Sequence, residues 1–157
     1  MRNLLYDFWE QNGKERDKGK TPRGRIPRAT LAALRKTDAW ERLTTVLEEV
    51  FKTGVTVNGF DERYQTTIEV AVWNGQLVNK QFRKKPGSPA MDLMVEGSGF
   101  LQWLSVYALA LNKDLQILLL DEPDAHLHPA LQGHLIQKLT QLARENNSRS
   151  YWQRTRP

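Results

Sequence analysis

The sequence predicts an α/β fold, and three patterns carry that prediction. Ile117 to Leu120 are four consecutive branched apolar residues that run straight into two carboxylates, Asp121 and Glu122. A short run of this kind reads as a fully buried strand of a parallel sheet. Around it, Phe100–Leu111 is apolar nearly all round, and Leu131, Leu135, Ile136, Leu139, Leu142 and Ala143 recur at helical spacing, so a strand over 115–121 is flanked by helices. Upstream, Thr67 to Trp73 alternates in polarity, which adds an antiparallel β segment before the main unit.

The chain has 157 residues, about one domain and enough to bury a core. Charged residues make up 26% and hydrophobic residues 39%, which suits a soluble protein. No apolar run approaches the roughly 18 residues that read as a membrane span. Met1-Arg2 followed by Asn-Leu-Leu-Tyr-Asp is too short and too acidic for a secretory leader. The absence of cysteine excludes disulfides and thiolate metal sites and is compatible with a cytoplasmic protein.

Charge is concentrated near the start. Lys14, Arg16, Lys18, Lys20, Arg23, Arg25 and Arg28 stand against Glu15 and Asp17, so residues 12–28 alone match the net +5 of the whole chain. With Pro22, Gly24 and Pro27 among them, these residues read as a loop, and 1–28 as a basic, flexible segment. Such a cluster suits a solvated loop; it also suits a sequence-independent contact with nucleic-acid phosphates.

The elements follow in order. Residues 1–11 are mildly apolar and suit a short helix. Leu31, Leu34, Trp40, Leu43, Val46, Leu47, Val50 and Phe51 recur at helical spacing. Asp38 is placed as an N-cap with Glu41 three residues on, a capping-box pattern, and Gly54 is placed as the stop. Strand patterning takes over from Val55 to Phe82, where Asn74-Gly75 is expected to turn a hairpin and Leu77-Val78 to begin the return strand. Residues 84–89 form a loop. The apolar helix at 100–111, the strand at 115–121 and a long helix with Pro129 at its first position complete the core, and no internal repeat is visible. Residues 29–148 therefore form the main domain, and 149–157 an atypical basic tail.

Asp121 and Glu122 are the strongest chemical candidates. Two adjacent acids leaving a buried strand are costly unless they meet a metal or hydrogen-bond donors. At the carboxyl end of the strand they stand where open α/β sheets bind ligands. Mg-nucleotide hydrolysis fits, with Asp121 near the ion and Glu122 orienting and deprotonating water. The bland alternative is an acidic pair that ends a strand before Pro123.

The stretch Ile117-Leu-Leu-Leu-Asp-Glu-Pro-Asp-Ala-His-Leu-His-Pro129 resembles the Walker B strand and D-loop of ABC-type ATPases within the AAA family of P-loop ATPases. It is most similar to the soluble branch with chromosome-maintenance, repair and phage-defence members. The resemblance implies a P-loop NTPase fold, ATP and Mg²⁺ as cofactors, Asp121 as the metal-associated acid, and Glu122 as the catalytic base. It also implies that 125–128, with His126 and His128, cross a dimer interface. Glu96-Gly-Ser-Gly-Phe-Leu-Gln102 similarly resembles the family's signature motif, in which small residues at a helix start let backbone N–H groups approach an anion. Gly97, Ser98, Gly99 and Gln102 would then face the γ-phosphate of ATP held by a second subunit. Ser98 supplies the hydroxyl in one register; a shifted register puts Val95 or Gly97 at the family's serine position. The resemblance covers about 94–147 and extends back to about 54.

Other signals point away from a complete site. His126 and His128 lack a third ligand at zinc spacing, so interface packing is the better reading, and His134 reads as a partly exposed polar residue. The nearest approach to a phosphate-cradling G-x-x-x-x-G-K-[ST] loop is Gly13 to Thr21, one residue too long and charged in its interior. No apolar strand precedes it and Pro22 and Pro27 oppose a following helix, so it is a decoy. After the last helix, 146–157 offers no apolar run for a further strand and no switch histidine. The expectation is thus part of an ATPase, one half of a site shared with a P-loop-bearing subunit and inactive alone, as in a truncated coding sequence. The rival is a non-catalytic module binding nucleic acid or a partner through residues 12–28 and the tail.

Overall fold

The structure is a computed structural model that describes residues 1–79, 81–115, 117–121, 127–145 and 151–153. The chain divides into two compact units, Met1–Val95 and Glu96–Pro157. Helices and strands are mixed, in agreement with the α/β prediction.

In the first unit, helix α1 (Arg2–Lys18) runs through residues placed in a basic loop by the sequence. The loop is confined to 19–27. Helical spacing brings Leu5, Phe8 and Asn12 onto one buried face, while ion pairs neutralise the basic residues of the other. Lys14 bonds Glu10 at 3.0 Å, Lys18 bonds Glu15 at 2.6 Å, and Arg16 meets Glu41 from another helix. Opposite charges three or four apart support a helix that composition alone disfavours.

Helices α2 (Arg28–Thr37) and α3 (Ala39–Val50) split the long helical pattern at Asp38. Asp38 is extended there (φ −87°, ψ 134°), and its Oδ1 accepts the Glu41 N–H at 2.9 Å, as the capping pattern predicts. The reciprocal half of the box is used otherwise. The Asp38 N–H donates to Leu34 O at 2.8 Å, and the Glu41 carboxylate turns toward α1. Its Oε1 accepts from Asn12 Nδ2 at 3.2 Å and Arg16 Nε at 2.8 Å. Asn12 also donates to Asp38 at 3.0 Å, so the two buried polar residues of the α1–α3 seam satisfy each other.

Strand β1 (Thr53–Val57) pairs antiparallel with β2 (Val70–Val78), which pairs antiparallel with β3 (Gln81–Lys84) and β4 (Met91–Asp92). Val55, Val57, Val70 and Val72 face the core, where α1 and α3 pack over β1 with Leu43 and Leu47 fully buried. Arg2 ties the start of α1 to this layer, donating to Ile68 O at 3.0 Å and Asp92 Oδ1 at 2.6 Å. A one-turn 3-10 helix, Leu93–Val95, closes the unit.

Two glycine predictions are corrected here. Asn74-Gly75 is no turn; both residues lie inside β2, opposite Thr53 and Lys84. The hairpin turns instead after Val78, where Asn79 takes the left-handed conformation (φ 51°) and Val78 pairs with Gln81. Gly54 is no helix stop either, since α3 ends at Val50 and Lys52 makes the left-handed step (φ 54°). Both glycines make room for rings. A Cβ on Gly54 would stand 2.2 Å from the Trp73 ring, and one on Gly75 2.2 Å from the Phe82 ring. Trp73 and Phe82 stack at 5.6 Å, and Trp73 Nε1 donates to Thr56 Oγ1 at 2.9 Å. The rings thus cover strand glycines that have no side chain to pack.

In the second unit, helix α4 (Ser98–Leu111) buries Trp103, Leu104, Tyr107, Ala108 and Leu111. Strand β5 (Leu119–Asp121) is followed by helix α5 (Pro129–Glu145), with Pro129 in the first position as predicted. Leu135, Leu139 and Leu142 form the buried stripe of α5, which packs on α4. Strand β6 (Tyr151–Gln153) then pairs parallel with β5. The strandless tail predicted for this region is therefore corrected: a strand forms without an apolar run, on backbone pairing with β5. Burial of the 115–121 strand is corrected too. Ile117 and Leu119 are 77% and 76% exposed, because a parallel strand becomes buried only when strands and helices cover both edges and both faces.

Candidate functional site

Two features of the second unit carry the residues that the sequence singles out. The first is the β5–α5–β6 crossover. A strand, a helix and a parallel neighbouring strand form the unit on which open α/β proteins build their sites, at the carboxyl ends of the strands. Asp121 is the last residue of β5, and its side chain is exposed. Gln153, the last residue of β6, is its register partner. Glu122 and His126, the predicted base and the first of the paired histidines, lie outside the described residues, as do the other residues of 122–126.

The second feature is the start of α4. Gly97 is its N-cap, extended at φ −63° and ψ 149°, and its carbonyl accepts the Leu101 N–H at 3.1 Å. No side chain caps this terminus, and a Cβ on Gly97 would meet nothing within 4 Å. Ser98 is exposed, Gly99 and Gln102 half-buried, so the predicted signature residues occupy the open first turns of a helix. Helix starts of this form leave several N–H groups directed outward and carry the positive end of the helix dipole.

His128 has a local task that its sequence neighbours did not reveal. It stands immediately before α5; its carbonyl accepts from Leu131 at 2.8 Å and Gln132 at 3.1 Å, and its Nδ1 accepts the Ala130 N–H at 3.4 Å. Gln132 Nε2 adds a bond to Leu127 O at 3.0 Å. A histidine thus serves where Ser, Thr, Asp or Asn usually caps. His134, on α5, is exposed. Among the described residues, no three His, Asp or Glu side chains form a group that could hold a metal ion.

The Gly13–Thr21 stretch is not a phosphate cradle. Its first half is helical, Lys20 pairs with Asp17, and the Thr21 hydroxyl bonds Arg25 O at 3.0 Å. The basic segment is also less available than its composition implies, since Lys14, Arg16, Lys18 and Lys20 are all held in ion pairs. No helix among the described residues is long and apolar enough to cross a membrane.

A model of the family described as "AAA domain, putative AbiEii toxin, Type IV TA system" matches residues 2–151. The likeness therefore reaches well upstream of the motifs at 94–147, across α1, α2 and α3. No curated protein and no solved structure matches the chain. Because the matched residues take in nearly the whole sequence, both units included, the chain belongs to this AAA-domain family of P-loop ATPase-like proteins.

Proposed function

We propose that the second unit is one half of an ABC-type ATP-hydrolysing site, completed by a P-loop from outside these 157 residues. The supporting observation is the β5–α5–β6 crossover, which ends β5 on Asp121 at the ligand-binding end of the strand pair. In this reading β5 is a Walker B strand. Asp121 suits Mg²⁺, which takes one or two carboxylates and completes its shell with water and phosphate oxygens. When bound, the ion neutralises charge on the phosphates. Glu122, the next residue, orients the attacking water and accepts its proton. Residues 125–128 form the D-loop at a dimer interface, and His128 fixes where that loop enters α5.

The start of α4 adds the signature residues to the same half. Gly97, Ser98 and Gly99 offer backbone N–H groups and one hydroxyl to the γ-phosphate of ATP held on a second subunit, with Gln102 one turn further on. Residues 29–148 carry the ATPase part in this reading, with α1 packed on α3 and β1 beside it rather than serving as a loose lead.

A shared site has a direct test. The chain alone should bind ATP weakly and turn it over at background rate, since the phosphate donors of the P-loop are missing. Mixed with a P-loop-bearing member of the family, it should raise ATPase activity, and Glu122→Gln should remove the gain. Robust turnover by the chain alone would overturn the half-site; a gain indifferent to Glu122→Gln would overturn its hydrolytic role.

A further inference from the structure

Residues 19–37 contain Lys20, Arg23, Arg25, Arg28, Arg35 and Lys36 and no acid. Lys20 is taken up by Asp17, and Arg35 acts on the Glu48 carboxylate. Arg23, Arg25, Arg28 and Lys36 are exposed, and none joins an ion pair among the described residues. Four cations are thus left facing solvent along one loop and the helix that follows it.

The loop is built rather than slack. Thr21 N–H donates to Arg25 O at 2.8 Å, Arg25 N–H returns a bond to Thr21 Oγ1 at 3.3 Å, and Gly24 N–H bonds Thr21 O at 2.8 Å. Gly24 closes this turn in the left-handed region (φ 72°), holding Arg23 at its tip. At its base Gly19 lies so close to Thr30, in the first turn of α2, that a Cβ would stand 2.8 Å from its methyl group. Helix α2 packs on α3 and buries none of its own residues.

We propose that the loop 19–27 and helix α2 form a contact surface for the phosphate backbone of double-stranded nucleic acid. Arginine forks match phosphate oxygens, and an acid-free run of cations repels none of them. No aromatic residue lies between 19 and 37, so the surface lacks the aromatic platforms on which single-strand binders stack successive bases; this favours a duplex over a single strand. Binding here needs no nucleotide and is independent of the half-site reading.

The test is fluorescence anisotropy of the full chain with a labelled 30-base-pair DNA duplex, in the absence of ATP. Four phosphate contacts give a slope of log K on log salt of about −3.6, so affinity should fall about a hundredfold between 50 and 200 mM salt. The combined variant Arg23→Gln/Arg25→Gln/Arg28→Gln should flatten the slope to about −0.9, and Arg25→Gln alone should flatten it by about 0.9. Lys84→Gln/Lys85→Gln, a neutralisation elsewhere on the same unit, should leave the slope unchanged. Thermal melts of each variant establish that the fold is kept, and the single variant carries the test if the triple does not fold. Undetectable or salt-insensitive binding, tighter binding of a single strand, equal competition by poly-glutamate, or an unaltered slope in Arg25→Gln would each overturn the proposal.

Discussion

In the first unit β2 is flanked by β1, β3 and β4, and its inward Val70 and Val72 are 1% exposed; in the second, β5 has β6 as its partner among the described residues and leaves Leu119 76% exposed. The two strands draw their neighbours from different distances. An antiparallel strand takes partners from the next turn of chain, and β2 and β3 are joined directly by a hairpin. A parallel strand takes its partners from beyond a helix, and β5 reaches β6 only after all of α5. The first kind of sheet is thus completed by neighbouring residues, while the second depends on partners from farther along a chain and here leaves Leu119 exposed. Such an edge invites pairing with another strand, from this chain's kind or another.

The sharpest way to break this comparison is to remove one leucine from each unit. Leu43→Ala on α3 deletes a fully buried side chain and should lower stability by about 2–5 kcal/mol. Leu119→Ala on β5 should stay within about 0.5 kcal/mol. Urea unfolding of both variants measures the difference, and equal costs would mean that β5 is buried in solution.

A middle-sized effect probes the α1–α3 seam, which the second unit does not share. Glu41→Ala removes the acceptor of Arg16 and Asn12 and should cost about 1–3 kcal/mol. A double-mutant cycle with Arg16→Ala should show coupling in urea melts; additive losses would mean that the ion pair contributes nothing to the seam.

The smallest effect lies lower on the same helix. Burial pushes the Glu48 carboxyl up from its ordinary value of 4.5, Arg35 draws it down, and Glu41 and Glu49 add to the rise. The folded state thus favours the protonated acid, so stability from this group is fully present below the unfolded value and lost as pH climbs through the raised one. Glu48→Gln should therefore stabilise the chain at pH 7, by less than about 1 kcal/mol because the side chain is half-exposed. The gain should vanish in melts near pH 4. A gain that persists at pH 4 would remove the charge explanation.

Legibility from sequence followed the range of the interaction. Asp38 capping α3, Pro129 opening α5 and the apolar face of α4 were readable because each depends on residues within a turn or two. The helical run from Asn12 to Lys18 was not, since Arg16 and Asn12 are satisfied by Glu41, some 25 and 29 positions away. Gly54 and Gly75 looked like local punctuation and turned out to be shaped by rings from neighbouring strands. At the site, Asp121 and the Gly97–Ser98–Gly99 helix start were visible as motifs, whereas the capping role of His128 needed the backbone it binds.

By itself, then, the sequence determined the local elements, the acidic end of β5, the glycine-rich start of α4 and the lack of a phosphate loop with correct spacing, all written in patterns a few residues long. The tertiary structure alone decided which basic residues are spent in ion pairs and which face solvent. It also decided that the tail supplies a parallel strand beside Asp121 and that Leu119 of β5 stays exposed. Those outcomes depend on contacts between residues far apart in the chain, which composition and periodicity do not record.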